Sequence, residues 1–187
     1  LETMEQPITV TTENNVNYMS FQVDHCSSYI VTNQELRTDV SGFNTIRLNG
    51  EDDGGYILAD GMLDRVEPNT TVAEVLSHLV GGSMTVLNAE GNAVAETEPM
   101  ATGYTIGLGD GSVSPITVVV GGDVIPDGDV NVDDLVEVRR AVLEMSNLTG
   151  AQLKAGTMVS GDDRPNVDDL LQVRRYVLEL ITKIYEG

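Results

Sequence analysis

An internal repeat is the feature that most constrains this chain. Residues 131–145 read NVDDLVEVRRAVLEM and residues 166–180 read NVDDLLQVRRYVLEL, so eleven of fifteen positions are identical at an offset of 35. Such self-similarity is typical of one structural unit used twice. Val138 and Val142 lie three and seven positions after Leu135, and the second copy has the same spacing. This pattern predicts two amphipathic helices. A short connecting helix is predicted over residues 149–155.

A loop rich in oxygen donors precedes the first of these helices. A calcium loop needs oxygen ligands at positions 1, 3, 5, 7, 9 and 12 and glycine at position 6. Counting from position 1, the loop supplies Asp123, Asp127, Asp129, Asn131 and Asp134, with Gly128 at position 6. Position 3 is Ile125, which has no side-chain ligand. The alternative is that the acids only form a turn and a favourable helix N-terminus. We favour one Ca²⁺ here.

The second loop follows the calcium pattern less well. The corresponding positions are Ser160, Asp162, Arg164, Asn166 and Asp169. Met158 stands at position 1, Asp163 takes the place of the glycine, and Arg164 brings a positive charge. A second Ca²⁺ is therefore doubtful, and the alternative is a loop held by packing and hydrogen bonds.

Residues 1–120 predict a different kind of structure. Turn residues separate β-forming stretches at 16–23, 28–32, 44–48, 55–58, 84–88, 103–108 and 115–120. One helix is predicted to begin after Thr71, which fits a capping box with Glu74, and to stop at Gly81. The Gly121-Gly122 pair marks the predicted boundary between a β-rich domain, residues 1–120, and a helical domain, residues 121–187.

The duplicated loop and helix, with no helix before the loop, resembles a dockerin. The residues that carry the resemblance are Gly122-Asp123, Asp127-Gly128, Asn131, Asp134-Leu135, Arg139-Arg140, Asn166, Asp169-Leu170 and Arg174-Arg175. The resemblance implies a partner, the cohesin module of a scaffoldin or cell-surface anchor in a bacterial complex that degrades plant fibre or starch. The residues expected to contact this partner are Val132, Asp133, Arg139, Arg140, Val167, Asp168, Arg174 and Arg175. Because the first loop is the better calcium loop, the first repeat is expected to lead the contact.

Residues 50–120 resemble the X-modules that stand before some dockerins. The cues are the stretches VEPNTTVAEVL, LNAEGN and ATGYTIGL. The expected fold class is therefore α+β and multi-module. A β-rich X-module-like domain with one helix would be followed by an all-α dockerin fold with duplicated EF-hand-like loop–helix motifs. The resemblance implies that the X-module braces the dockerin.

Charge and missing motifs exclude several function classes. The net charge is -20, from 30 acidic and 10 basic side chains, and it would be repelled by nucleic-acid phosphates and by anionic membranes. No apolar run is long enough to span a membrane. We see no nucleophile, phosphate loop or zinc signature, so we predict a non-catalytic protein. Adjacent His25 and Cys26 point to opposite faces of a strand and are not expected to share a metal.

Two other functions stay open. One is a calcium-stabilised structural or adhesive stalk, and the other is a sugar-binding module that the dockerin delivers to a complex. The resemblance implies a secreted or bacterial cell-surface location. The first residues, LETMEQ, do not read as a signal peptide, so the chain is interpreted as part of a longer protein.

Overall fold

The structure is a computed structural model that describes residues 9–13, 16–20, 45–50, 52–109, 111 and 113–185. The chain divides into two compact units, residues 1–40 and residues 41–187. In the first unit, strands β1 (Thr9–Glu13) and β2 (Val16–Ser20) pair antiparallel, with Thr9 opposite Ser20. The predicted strand at 28–32 and the His25-Cys26 pair lie outside the described residues.

A five-stranded sheet lies at the centre of the second unit. Its order is β4-β5-β9-β8-β7, with β5 and β9 parallel and the other neighbours antiparallel. The strands are β4 (Ile57–Ala59), β5 (Met62–Val66), β7 (Met84–Leu87), β8 (Thr105–Leu108) and β9 (Ile116–Val120). A separate two-stranded ladder joins β3 (Arg47–Leu48) to β6 (Leu79–Val80).

The predicted capped helix covers one side of this sheet. Helix α1 (Val72–Ser77) begins after Thr71, whose hydroxyl accepts a hydrogen bond from the Glu74 N–H at 3.3 Å. Val72 and Val75 are buried in the sheet core. The helix ends earlier than Gly81 because the chain turns at His78 and Leu79–Val80 pairs with β3.

The repeat forms the helices that the sequence predicts. Helix α2 (Val132–Val142) and helix α4 (Val167–Val177) pack against each other, and α3 (Gly150–Gly156) connects them and packs on β9. Val138 and Val173 are fully buried apolar residues at equivalent positions of the two repeats. They belong to one apolar core that also contains Val124, Ala155 and Ile184.

The predicted fold class, an α+β chain of modules ending in an all-α dockerin fold, is wrong. The described residues form a mixed α/β fold with a five-stranded sheet and four helices. The physical reason lies in β9, where side chains alternate between two faces. Val118 and Val120 enter the sheet core, whereas Val119 enters the core of the helices. The boundary predicted between residues 120 and 121 falls inside the second unit and stays a prediction.

Candidate functional site

The two repeats begin with the same helix cap. Asn131 accepts a hydrogen bond from the Asp133 N–H at 2.8 Å, and Asp134 accepts one from the Asn131 N–H at 3.0 Å. Asn166 and Asp169 form the same capping box with Asp168 at the start of α4. Asn and Asp are favoured here because their oxygens satisfy N–H groups that have no partner within the helix. The sequence assigned Asn131 and Asn166 to metal binding and did not identify this capping role.

Asp134 also ties the start of the first loop to its helix. Its carboxylate is fully buried, and Oδ1 accepts hydrogen bonds from the N–H groups of Val124 and Ile125, each at 2.9 Å. Burial raises the pKa of Asp134, and its backbone donors act in the opposite direction. Ile125, the residue with no side-chain ligand, therefore contributes its backbone N–H to this connection.

Asp123 connects the first loop to the sheet side of the molecule. Its carboxylate is fully buried, Oδ2 accepts a hydrogen bond from the Thr102 N–H at 2.7 Å, and Oδ1 accepts one from Asp127 at 3.3 Å. Burial raises the pKa of Asp123 to about 7, and the negative charges of Asp134 and Asp127 add to the effect. A cation near these three carboxylates would offset their repulsion.

The donor chemistry of the first loop fits calcium. Asp123 and Asp134 are buried, whereas Asp127 and Asp129 are exposed to solvent. Hard oxygen donors of this kind are the ligands that Ca²⁺ prefers. Among the residues that the structure describes, however, no three acidic, His or Cys side chains are arranged so that they could hold a metal ion.

The second loop follows the calcium pattern less well, with Met158 at position 1 and Arg164 at position 7. Asp169 is fully buried, and it accepts hydrogen bonds from the N–H groups of Val159 and Ser160 and from the Ser160 hydroxyl at 2.8 Å. Asp162 accepts a bond from the Asn166 amide, and Arg164 pairs with Glu144 instead of the loop. The loop is therefore closed by internal hydrogen bonds, with the Ser160 hydroxyl supplying one that has no counterpart at Ile125.

The predicted partner residues lie on the exposed sides of α2 and α4. Val132 and Val167 are 59% and 67% exposed, and the neighbouring acidic and arginine side chains are exposed as well. These exposed acidic and arginine residues are Asp133, Arg139, Arg140, Asp168, Arg174 and Arg175.

The structure adds six apolar residues that sequence reasoning missed. We define the first repeat face as Val132, Val136, Leu143 and Met145, and the second repeat face as Val167, Leu171, Leu178 and Leu180. Each member of one face has its counterpart 35 positions away in the other, and together they make up eight of the eleven large apolar residues exposed in the described part of the chain. At 3.6 residues per turn, positions 132, 136 and 143 return to one side of α2. This spacing, present in both copies, was the signal that could have found them.

No protein-family model, curated protein or solved structure matches this chain. Within the described residues, no helix is long and apolar enough to cross a membrane.

The C-terminal segment after α4 joins the repeat to the sheet. Glu67, just beyond β5, accepts hydrogen bonds from the N–H groups of Ile184 at 2.6 Å and Tyr185 at 3.1 Å. The Tyr185 hydroxyl donates to Asp64 at 3.3 Å, and burial raises the pKa of Tyr185 well above its ordinary value. The Gln172 amide of α4 donates to the Ile184 carbonyl at 2.7 Å, so α4 and β5 are held through the same short segment.

The two glycines of the predicted boundary allow this close packing. A Cβ on Gly121 would lie 2.6 Å from the ring of Tyr185, and one on Gly122 would lie 2.6 Å from Ile184. Gly122 also has a φ of +83°, which side-chain-bearing residues rarely adopt. The junction is thus a tightly packed contact between the strand and the C-terminal segment.

Proposed function

We propose that this chain is a non-catalytic protein–protein interaction module in which the loop–helix repeats bind a cohesin module, as the dockerin resemblance implies. The observation that carries the proposal is that the same exposed apolar positions occur in both repeats. Exposed apolar residues along a helix and just beyond its end, as in each repeat face, are typical of protein-binding surfaces. Here the same group occurs twice, at positions related by the repeat.

Charge supports a protein partner with acidic residues around an apolar centre. The chain has only ten basic residues, and four of them, Arg139, Arg140, Arg174 and Arg175, lie on the exposed sides of α2 and α4. Arginine is enriched at protein interfaces, where its planar guanidinium forms paired hydrogen bonds with carboxylates. Four exposed arginines beside two apolar faces, in a chain of net charge -20, favour a carboxylate-bearing partner surface.

The first loop is proposed to hold one Ca²⁺ through Asp123, Asp127, Asn131 and Asp134. Asp129 stands at position 7, which in calcium loops binds through its backbone carbonyl. Bound calcium would neutralise carboxylates that otherwise repel one another. Asp134 and Asn131 meanwhile fix the start of α2, so the loop and the first repeat face are ordered together. The second loop keeps its shape through Ser160 and Asp169 and is proposed to need no ion.

The sheet is proposed to brace the binding helices. Glu67 and Asp64 accept hydrogen bonds from the segment that follows α4. Asp123 of the first loop accepts one from Thr102 on the sheet side. An ordered surface loses less entropy when it binds. On the basis of the dockerin resemblance, the parent protein is proposed to act outside the cell or on a bacterial cell surface, in a scaffoldin-based complex that degrades polysaccharide.

The proposal is tested by binding to a panel of immobilised cohesin modules in the presence of calcium. The variants Val136→Asp, Leu171→Asp and their combination place a charge in the centre of each repeat face. Ile57→Asp is the matched control, because Ile57 is also exposed but lies on β4, outside the repeats. We expect wild type to bind one or more modules and the combined variant to lose at least tenfold in affinity, about 1.4 kcal/mol. Absence of any binding, or equal affinity of wild type and the combined variant, would contradict the proposal.

A further inference from the structure

Arg65 adopts a backbone conformation that is unusual for its residue type. Its φ is +66°, in the left-handed region that long side chains rarely occupy. The residue lies where the pairing of β5 with β9 shifts register, between Leu63 and Val66. The Asp64 carboxylate accepts a hydrogen bond from the Arg65 N–H at 2.7 Å and so helps to hold this bulge. Bulges of this kind redirect side chains, and local strain is often kept where it serves a function.

The bulge brings Arg65 beside the second repeat. Arg65 lines a groove of about 460 Å³ together with Arg175 and Asp168 of α4. We call this the Arg65 groove. Val159 and Leu171 are apolar residues of the same lining, 52% and 46% exposed, and Leu171 also belongs to the second repeat face. The groove is therefore continuous with the proposed partner surface.

The charges in the Arg65 groove favour a carboxylate from outside. Arg65 and Arg175 are both exposed, and among the described residues neither guanidinium forms an ion pair with a carboxylate. Asp168 is the acidic residue of the lining, but its position at the start of α4 places it beside a helix N-terminus, which favours negative charge. Two guanidinium groups can share one carboxylate through charge-assisted hydrogen bonds.

We infer that the Arg65 groove receives an acidic side chain of the cohesin partner, flanked by apolar residues that rest on Val159 and Leu171. This inference rests on the proposed function and adds Arg65 of the sheet to the binding surface. It makes the sheet a direct contributor to recognition as well as a brace.

The inference also makes the two repeat faces unequal. The first repeat has Val136 and Arg140 at the positions of Leu171 and Arg175, but Arg140 pairs with Glu137 at 3.5 Å. Arg65 lines the groove beside the second repeat, and no residue of the first repeat helix lines that groove. The better calcium loop favours a larger contribution of the first repeat to partner binding, whereas the Arg65 groove favours the second repeat. We expect the second repeat to contribute more to the binding affinity.

Three single substitutions of the full chain test the inference against the cohesin module that wild type binds most tightly. Arg65→Glu reverses the charge, and Arg65→Gly removes the side chain at a φ that glycine adopts easily. Arg47→Glu is the control, since Arg47 is exposed on β3 and does not line the groove. We expect Arg65→Glu to weaken binding at least tenfold and Arg65→Gly to weaken binding while its melting temperature stays equal to or above that of wild type. Arg47→Glu should bind like wild type.

The outcomes separate this inference from the function on which it rests. Wild-type binding that Arg65→Glu and Arg65→Gly leave unchanged overturns the groove and leaves the proposed function standing. Equal loss of affinity in Arg65→Glu and Arg47→Glu also overturns the groove, because the effect is then one of net charge. Absence of wild-type binding to every cohesin of the panel overturns the proposed function and the groove together.

Discussion

The carboxylate of Asp123 accepts a hydrogen bond from the backbone N–H of Thr102 at 2.7 Å, across 21 residues of sequence. Asp123 is the first residue of the acidic loop, and Thr102 belongs to the turn that leads into β8. The loop proposed to bind calcium is thus attached to the sheet by the same carboxylate that would contribute to the ion site. Changes in the loop should therefore affect the stability of the sheet side as well.

Calcium should stabilise the chain through the first loop and not the second. A ligand that binds only the folded state at a hundred times its Kd adds about 2.7 kcal/mol to the free energy of unfolding. Asp127→Ala should abolish the rise in melting temperature on adding calcium, and Asp162→Ala, its counterpart in the second loop, should retain it. Both residues are exposed, which makes them a matched pair. A melting temperature that calcium does not change in wild type would contradict this prediction.

Without calcium, stability should depend on the protonation of Asp123. Burial raises its pKa to about 7 in the folded chain, against about 4 for an unfolded aspartate. Between these values the folded state holds a proton that the unfolded state has lost, so this group makes the free energy of unfolding fall as pH rises. Urea unfolding in excess chelator at pH 4.5 and 7.5 measures the change. Wild type should lose more stability than Asp123→Asn over this interval, and an equal loss in both proteins would count against the assignment.

The segment after α4 should be a large contributor to stability. Glu67→Ala leaves the N–H groups of Ile184 and Tyr185 without their acceptor, and an unsatisfied buried N–H costs about 1–3 kcal/mol. Calorimetry should show residues 41–187 unfolding in a single transition, at a lower temperature in the variant. Glu67→Gln, which keeps one oxygen acceptor, should lie between the two. A separate transition for the helical repeat would show that sheet and helices unfold independently.

The close packing at Gly122 is tested by two glycine substitutions. Gly122→Ala and Gly55→Ala both place a side chain at a positive φ, +83° and +75°, but only Gly122 is crowded, since nothing lies within 4 Å of a Cβ on Gly55. Both should lose roughly 1 kcal/mol to backbone strain. Gly122→Ala should lose about 1–3 kcal/mol more through overlap with Ile184. Equal urea midpoints for the two variants would refute the contact.

The sequence predicted what depends on local pattern. The spacing of Leu135, Val138 and Val142 defined the first repeat helix, and Thr71 with Glu74 marked the start of α1. The fold class was wrong because Val118, Val119 and Val120 form one β-branched run in the sequence. Only the tertiary structure shows that Val119 packs in the core of the helices while Val118 and Val120 pack in the sheet core.

The candidate site was predictable only in part. The acidic loops and the arginine pairs could be read from the repeat. The hydrogen bond that Thr102 donates to Asp123 could not be predicted, because it joins segments 21 residues apart in the sequence. The backbone conformation of Arg65 could not be predicted either, because nothing in its residue type indicates a positive φ. Asn131 and Asn166 show a different difficulty, since the residue types that cap helices are also those that bind calcium.

Charge reversal of the two arginine pairs measures how much each repeat contributes to cohesin binding. The affinity of the whole chain for its tightest-binding cohesin is measured by calorimetry for wild type, for Arg139→Glu with Arg140→Glu, and for Arg174→Glu with Arg175→Glu. We expect reversal of Arg174 and Arg175 to weaken binding at least tenfold, about 1.4 kcal/mol, and reversal of Arg139 and Arg140 to weaken it less. Binding that survives both reversals unchanged, or no binding of wild type to any cohesin, would show that the repeat helices do not form a cohesin-binding surface.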